Sequence, residues 1–366
     1  MNFKNCVLLG ALVMSLLQAC KKDKQLPQVT MGLTDQQLNV KMGELLTLTA
    51  KSADGQVYTQ EWKINDDVSD ATDTLKFVPV SSGIYKIAYT ATNRDGKFEY
   101  VYTVNVGAVM VEENSQNDRY VNKLFEYHPG PGQFINKAPG NFASAGSILG
   151  KTGMVTLGAW GGYIVLGFNH AVLNRAETAD LIIYNNAFAT FAEPGIVWVM
   201  KDENGNGKPD DTWYEIAGSE FNKTGYQRNY SVTYTRPTPD TDPIPWKDSN
   251  GNTGVVATNT FHKQSYFPAW VTGNTYTLTG SLLPSGNINR TNPNNITSTP
   301  FAYGYADNTN GGDRIDIADA VDQNGNKVVL SSIDFVKIQT GIQANMGWLG
   351  ELSTEVNGVA DLSMVP

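Results

Sequence analysis

The chain has 366 residues and a formal net charge of −9, and Asp and Glu outnumber Lys and Arg by 36 to 27. This acidic balance argues against a nucleic-acid partner, because nucleic-acid binding needs clustered Lys and Arg. The only two cysteines, Cys6 and Cys20, lie near the N-terminus. The rest of the chain therefore offers no disulfide, no thiolate metal site and no cysteine nucleophile.

The N-terminus carries the pattern of an export signal. Lys4 precedes an uncharged apolar run at 6–17, which is too short to span a bilayer as a helix and has the length of a signal peptide. The run ends in "LQAC", which resembles a bacterial lipobox. We predict a lipoprotein signal peptide at 1–19, lipidation of Cys20 and a polar tether at 20–26. The alternative is an ordinary secretory signal with an incidental cysteine.

The next segment, 27–106, predicts a small β-sandwich. Apolar side chains alternate at 85–91 and again at 98–106, which is the period of a half-buried strand. The "NRDGK" between these runs predicts a hairpin turn with Gly96 at positive φ. Trp62 stands where an immunoglobulin-like domain keeps its core tryptophan. The stretch "SGIYKIAYTATNRDG" resembles PKD and related Ig-like modules, for which we expect a spacer role.

A linker is predicted at 107–120, followed by one large β domain at 121–366. Strands are expected at 163–168, 179–184, 196–200, 230–234, 276–278 and 333–339. The absence of a repeat period disfavours a propeller or solenoid. The fold class is therefore all-β: an Ig/PKD-like sandwich followed by a larger jelly-roll-like β-sandwich with long loops. The longest of these, 236–313, is too rich in aromatic residues to be disordered.

The stretch "KDENGNGKPDDTWYE" at 201–215 has the spacing of a calcium loop. Oxygen donors recur at alternate positions before the turn at Gly207, and a hard cation of this size takes six to eight oxygens. The predicted ligands are Asp202, Asn204, Asn206, the Lys208 carbonyl, Asp210 and Asp211. Such a calcium ion would be structural, tying two strands together. The alternative is a polar hairpin whose Asn and Asp side chains bond their own backbone.

Two shorter stretches resemble this loop without its glycine at the sixth position. They are "DSNGN" at 248–252 and "DQNGN" at 322–326, and both contain the Asn-Gly pair preferred in tight hairpin turns. We predict turns for both.

Catalytic signatures are sparse. The three histidines, His128, His170 and His262, are isolated, and the chain has no HExxH, GxSxG or P-loop motif. A glycosidase needs only two carboxylates about 5–10 Å apart, and five acids could supply them: Glu193, Glu215, Glu220, Asp313 and Glu351. Solvated carboxylates are the simpler interpretation, so the chain is predicted not to be an enzyme and to need no catalytic cofactor.

Aromatic residues predict a binding surface. Trp160 and Trp348 each lie beside glycines, which would leave the indole free to contact a ligand. Tyr and Trp offer flat, rigid area with a polar tip, which suits sugars and other ring-bearing ligands. The alternative for each ring is core packing. The predicted ligand-binding residues are Trp160, Tyr163, Trp246, Trp270, Tyr303, Tyr305 and Trp348.

Several segments together resemble a family of Bacteroidetes cell-surface lipoproteins with an N-terminal PKD-like module. They are "GGYIVLGFNHAVLN", "ADLIIYNNAF", "EPGIVWVMKDENGNGKPDDTWYEIAGSE", "FHKQSYFPAW" and "DFVKIQTGIQANMGWLGELSTEV". The resemblance implies lipid anchoring in the outer membrane, facing outward, and nutrient uptake with an outer-membrane transporter as partner. Some family members are associated with vitamin B12 transport, which implies cobalamin as the ligand. The "KKDK" after Cys20 departs from the acidic run that often accompanies outward display.

The sequence thus predicts a tethered protein that binds a ligand noncovalently. Cobalamin is favoured by resemblance; the alternative is a carbohydrate-binding module or glycan adhesin, and the third possibility is a glycoside hydrolase or lyase.

Overall fold

A computed structural model describes residues 24–114 and 117–365. The predicted signal peptide at 1–19 and the lipidation site Cys20 lie outside this range. Residues 24–26, the end of the predicted tether, lie against the hairpin at 93–96, where Asn93 Nδ2 donates to the Gln25 carbonyl over 2.7 Å. Within the described residues, no helix has the length and apolar character needed to cross a membrane.

Strands β1–β8 form an N-terminal sandwich of two sheets. The strands are β1 Val29–Met31, β2 Gln37–Lys41, β3 Leu46–Ser52, β4 Thr59–Ile64, β5 Asp67–Asp70, β6 Thr74–Phe77, β7 Gly83–Asn93 and β8 Gly96–Gly107. One sheet has the order β1-β3-β6 and the other β2-β8-β7-β4-β5. Strand β2 pairs with β8 in parallel, whereas the other strand pairs described are antiparallel.

The predicted hairpin turn and core tryptophan of this segment are confirmed. The β7–β8 hairpin turns between Asn93 and Gly96, and Gly96 adopts a φ of 153°. Trp62 is fully buried, with its ring 4.7 Å from that of Tyr89. The alternating pattern therefore placed its apolar face in the core.

The remaining strands form the C-terminal body. They are β9 Val109–Met110, β10 Lys123–His128, β11 Val155–Thr156, β12 Tyr163–Leu173, β13 Leu181–Tyr184, β14 Gly195–Met200, β15 Tyr214–Ile216, β16 Gln227–Thr235, β17 Ile244–Asp248, β18 Thr253–Val256, β19 Thr275–Leu282, β20 Ile288–Asn289, β21 Thr297–Ser298, β22 Tyr305–Ala306, β23 Asp313–Ile315, β24 Ala320–Val321, β25 Ser332–Thr340, β26 Glu355–Val356 and β27 Gly358–Asp361. The helices are short: α1 Phe142–Ser147 and the 3₁₀ turns Ile317–Asp319, Gly347–Leu349 and Leu362–Met364.

An eight-stranded sheet forms the centre of the body, in the order β24-β15-β14-β25-β12-β10-β9, with β22 paired to β14. Smaller sheets accompany it, with the orders β23-β13-β27, β18-β17-β16-β19, β11-β26 and β20-β21. The all-β fold class of packed sheets is thus confirmed. The "DSNGN" and "DQNGN" stretches are hairpin turns, as predicted. Asp248 and Asp322 each accept hydrogen bonds from the backbone N–H groups of the residues two and four positions later.

The central strands are apolar on both faces because each face is covered. On β12, Leu166 belongs to the main core, whereas its neighbour Val165 packs in a separate cluster with Phe125 and Phe335. Strands buried on both sides lose the strict polar alternation of half-exposed strands, which explains the near-continuous apolar run "GGYIVLGF".

Backbone hydrogen bonds join the N-terminal sandwich directly to the body. Ser82 N donates to the Phe125 carbonyl over 2.8 Å, and Tyr127 N donates to the Val80 carbonyl over 3.0 Å. The segment predicted as a linker contributes β9, which pairs with β10 at the sheet edge. The connection is therefore shorter than 107–120, since Gly107 ends β8 and Val109 begins β9.

Candidate functional site

A cleft of about 490 Å³ opens on the C-terminal body; we call it the Trp348 cleft. Its apolar and aromatic lining consists of Phe134, Pro139, Met154, Phe191, Phe261, Trp348 and Leu349. Its polar lining consists of Gln133, Asn186, Glu193, Asn259, His262, Glu351, Ser353 and Glu355. The residues come from four distant chain segments, so only the folded chain assembles this surface.

Trp348 lies on the 3₁₀ turn Gly347–Leu349 and stands out into solvent. Gly347 and Gly350 have φ values of 67° and 94°, which L side chains rarely adopt. These two glycines make the tight turn, and the indole remains 56% exposed. Its Nε1 donates to the Asn294 carbonyl over 3.2 Å. The ring is thus held in one orientation while its face stays accessible.

Phe261 gives the cleft a second exposed ring, at 74% exposure. It lies on a loop that Asn259 closes, because the Asn259 Oδ1 accepts from both Phe261 N and His262 N over 3.0 Å. Phe134 packs edge-on against His262, with ring centroids 4.7 Å apart. An exposed apolar ring is unremarkable alone, but two that line one concavity indicate a contact surface.

Gln133 connects the Phe261 loop to the Trp348 turn. Its Oε1 accepts from Asn259 Nδ2 over 2.8 Å, and its Nε2 donates to the Leu349 carbonyl over 2.6 Å. Its backbone N–H donates to Glu351 Oε1 over 2.8 Å. Gln133 therefore fixes the Phe261 loop and the Trp348 turn relative to the buried carboxyl group of Glu351.

Buried carboxyl groups line the inner part of the cleft. Glu193, Glu351 and Glu355 are all buried although they line it. Burial raises the pKa of Glu351 to about 8, so this group is largely protonated at neutral pH. Burial and the nearby charges of Glu355 and Asp307 raise the pKa of Glu193 well above its ordinary value. Such shifts are concentrated at functional sites.

Glu193, Asp307 and Glu355 form a compact group, which we call the acid triad. One carboxylate oxygen from each lies within 4.8 Å of the others. Glu193 comes just before β14, Asp307 directly after β22, and Glu355 in β26. Ser353 orients two of them, since its N–H donates to Glu193 Oε1 over 2.9 Å and its hydroxyl to Glu355 Oε1 over 3.0 Å. Three oxygen donors at this separation could hold a metal ion.

Two of the predicted ligand-binding aromatics are core residues. The expectation that Trp160 faces a ligand is wrong: its indole is 1% exposed and packs edge-on against Tyr230 at 4.7 Å. The same expectation is wrong for Tyr305, which is 2% exposed and accepts a bond from Glu220 N. Trp160 and Tyr305 pack in two separate hydrophobic clusters. Gly161, beside Trp160, adopts a φ of 85° and so serves the chain turn rather than exposure of the ring.

Four other predicted aromatics lie in separate parts of the fold. Tyr163 stacks on His128 at 4.8 Å and donates to Glu126. Trp246 packs at the edge of the core beneath β16–β19, and Trp270 lies where the N-terminal sandwich meets the body. Tyr303 is 55% exposed but does not line the Trp348 cleft. Of the seven predicted residues, only Trp348 lines this cleft.

The predicted calcium loop is curled, and its side chains point inward. Asp202 accepts from Asn206 N over 3.1 Å and from Gly207 N over 2.8 Å. The amide of Asn204 donates to Asp210 and Asp211, each over 3.2 Å. Turning such an amide over would direct its oxygen at the same centre. The side-chain arrangement suits both a cation loop and a self-bonded hairpin; Lys208 takes part through its N–H, which donates to Asn206 Oδ1.

Sequence reasoning missed the residues that form most of the Trp348 cleft. Phe261 and Phe134 lie in segments with no periodic pattern. Glu193 and Glu351, two of the five acids that the sequence offered for a glycosidase, do line the cleft. Glu193 is the single charged residue between Leu181 and Met200. A lone acid in an apolar run is expected to be buried with a partner or a function.

Comparison with known proteins identifies no family. No protein-family model matches the chain, and no curated protein matches it in sequence. Solved structures with limited similarity to the chain include the following three. The PKD domain of human KIAA0319 has 18% identity and a TM-score of 0.21, covering 26% of this chain and 95% of that one. The fibronectin(III)-like modules of Clostridium thermocellum CbhA have 12% identity and a TM-score of 0.20, covering 63% and 90%.

A third similar structure is a Bacteroides ovatus protein, SGBP-B of a mixed-linkage glucan utilization locus, in complex with a heptasaccharide. It has 11% identity and a TM-score of 0.18, covering 66% of this chain and 65% of that one.

Proposed function

We propose that this protein binds a carbohydrate noncovalently in the Trp348 cleft. The observation that carries the proposal is the pairing of exposed rings, Trp348 and Phe261, with buried polar groups in one concave surface. Sugar rings present apolar C–H faces, which pack on aromatic rings, and hydroxyl edges, which need hydrogen-bond partners. The chain is proposed to act as a binding protein rather than as an enzyme.

The polar lining suits sugar hydroxyls because it contains both donors and acceptors. Asn186 and Asn259 carry amide groups, and carboxyl groups stand deeper in the cleft. The bonds through Gln133 hold the two aromatic elements in place before a ligand arrives. A site built in advance loses less conformational entropy on binding. A cleft of about 490 Å³ lies in the size range of small-molecule sites, which suits a short oligosaccharide.

The test begins with a glycan array, followed by calorimetric titration of the strongest hit. Trp348→Ala should weaken binding by about tenfold or more, since truncating a central aromatic contact commonly costs that much. Tyr303→Ala is the matched control, because Tyr303 is equally exposed but outside the cleft. Equal affinity of Trp348→Ala and wild type would refute the proposal, as would an array without any hit.

Glycoside hydrolysis is the second candidate, favoured by the carboxyl groups in the same cleft. With a pKa raised to about 8, Glu351 is protonated at neutral pH and could donate a proton to a leaving oxygen. Mass spectrometry of the glycan after incubation separates the two functions. Cleavage that Glu351→Gln abolishes would establish catalysis, whereas intact glycan supports binding alone.

The finer prediction of cobalamin rests on the sequence resemblance alone. A corrinoid is larger than a cleft of about 490 Å³ can enclose, so much of it would remain outside. We expect titration with cyanocobalamin to give neither heat nor a shift in the visible spectrum. A spectral shift lost in Trp348→Ala would instead assign this cleft to the vitamin.

We also propose that the chain is anchored by lipid on Cys20, faces outward from the outer membrane and delivers its ligand to a transporter. The support is the "LQAC" pattern and the family resemblance. Metabolic labelling with a fatty acid should mark the wild type and not Cys20→Ala, and protease added to intact cells should degrade the protein.

A further inference from the structure

The acid triad places three carboxylates together in the protein interior. We infer that Glu193, Asp307 and Glu355 bind a hard divalent cation of the calcium class at the inner end of the Trp348 cleft. This site is separate from the predicted loop at 202–211. It rests on the triad alone and does not depend on whether the cleft binds a sugar.

Asp307 supplies the observation that points to a ligand. Its side chain is 0% exposed, and its Oδ1 accepts no hydrogen bond of ordinary geometry, although the backbone N–H of Asn186 lies close enough to lower the pKa of this carboxyl group. Its Oδ2 accepts from Glu355 N over 2.8 Å, which directs the carboxylate toward the other two acids. A buried carboxylate oxygen without a partner destabilises the fold unless another group satisfies it. A cation between the three acids would supply that partner.

The charge balance also requires a partner. Within residues 24–114 and 117–365, the ion pairs formed by Lys, Arg and His do not involve any of the three acids. Three neighbouring carboxylates cannot all ionise in a buried site without compensation. A divalent cation neutralises two of the charges. The alternative occupants are protons, which the experiment below distinguishes.

The donor set selects the class of cation. The triad offers oxygen ligands only, which suits calcium, magnesium or manganese rather than zinc or copper. Calcium binds oxygens at about 2.3–2.6 Å, so ligands on opposite sides of it stand roughly 4.6–5.2 Å apart. The triad oxygens lie within 4.8 Å of one another, so all three can contact one ion of this size. Magnesium demands a tighter and more regular shell.

The acid triad is in reach of solvent through the cleft. Glu193 and Glu355 line the cleft, so a cation can reach the triad from solvent, and water can complete its shell. Ser353 holds Glu193 and Glu355 from the protein side through two hydrogen bonds. Outer groups that orient metal ligands in this way are typical of metal sites.

The test is calorimetric titration of EDTA-stripped protein with calcium chloride at neutral pH, with magnesium and manganese chloride in parallel. We expect wild type to bind calcium and Asp307→Asn to lose that binding event or weaken it at least 100-fold. Glu193→Gln is the second variant. Both changes keep the side-chain shape and remove a buried charge, so the stripped variants should melt no lower than stripped wild type.

The control is the double variant Asp202→Asn and Asp210→Asn in the loop, which should leave the triad binding event unchanged. The inference is overturned if stripped wild type binds none of the three cations. It is also overturned if the loop variant removes all binding, or if folded Asp307→Asn and Glu193→Gln bind as wild type does. Terbium luminescence on the same variants provides an independent readout of the lost site.

Discussion

The side-chain amide of Asn259 donates to Gln133 Oε1 over 2.8 Å, and Gln133 in turn donates to the Leu349 carbonyl, so Gln133 bridges the two loops that carry the exposed rings of the Trp348 cleft. Gln133→Ala would leave the Asn259 amide and the Leu349 carbonyl without their partners. Leaving a buried polar group unpaired costs about 1–3 kcal/mol. We expect a lower free energy of unfolding in urea and weaker glycan binding. Gln56→Ala, on an exposed loop, should change neither quantity; an equal loss in both variants would contradict the role of Gln133.

Truncation to alanine should lower the stability of the fold at Trp160 and the affinity for ligand at Trp348. Trp160 is buried against Tyr230, so Trp160→Ala opens a cavity and should cost about 3–5 kcal/mol of stability. Trp348 is 56% exposed, so Trp348→Ala should leave the free energy of unfolding nearly unchanged while ligand binding falls. Urea denaturation of both variants checks this contrast. A large loss of stability in Trp348→Ala would show that the ring is structural.

The stability of the metal-free protein should fall between about pH 5 and pH 8. Burial raises the folded-state pKa of Glu351 from 4.5 to about 8. A carboxyl group with a raised pKa stabilises the fold fully below its unfolded-state pKa, and this contribution is lost as pH rises through the folded value. The melting temperature should therefore drop across this range. Glu351→Gln, which stays neutral, should flatten the decline; an unchanged slope in this variant would exclude Glu351 as its source.

Chelation should lower the melting temperature if the loop at 202–211 holds calcium. Its converging carboxylates repel one another once the cation is removed, as expected for a loop built around a charge. The measurement is best made in the Asp307→Asn background, so that the acid triad does not contribute. There, calcium should raise the melting temperature, and adding Asp202→Asn and Asp210→Asn should abolish the rise. Asp322→Asn, in the lookalike turn, is the control that should keep it.

The sequence predicted those parts of the molecule in which one local rule decides the structure. The hairpin at Asn93–Gly96 and the burial of Trp62 follow from period-two alternation and one turn glycine. The Trp348 turn also follows, because two glycines there can adopt the positive φ values that the turn needs. Trp160 also lies beside glycines, yet it is buried in the core, because the burial of its indole depends on the sheet that covers it.

The rest of the cleft could not be predicted from neighbouring residues in the sequence, because tertiary contacts bring its side chains together. Glu193 and Asp307 are far apart in sequence, and the pairing of β14 with β22 brings their segments together. Nothing in the residues around Phe261 predicts its exposure, because Gln133 and Asn259 fix that loop across the fold. Long-range pairings of this kind place a site without leaving a short motif.

The backbone bonds between Ser82 and Phe125 and between Val80 and Tyr127 also have a calorimetric consequence. Trp62 of the N-terminal sandwich and Leu166 of the body belong to one continuous hydrophobic core. Neither unit can melt without exposing apolar surface of the other, so heating should produce one endotherm with matching van't Hoff and calorimetric enthalpies. The N-terminal sandwich and the body would then unfold together in one transition.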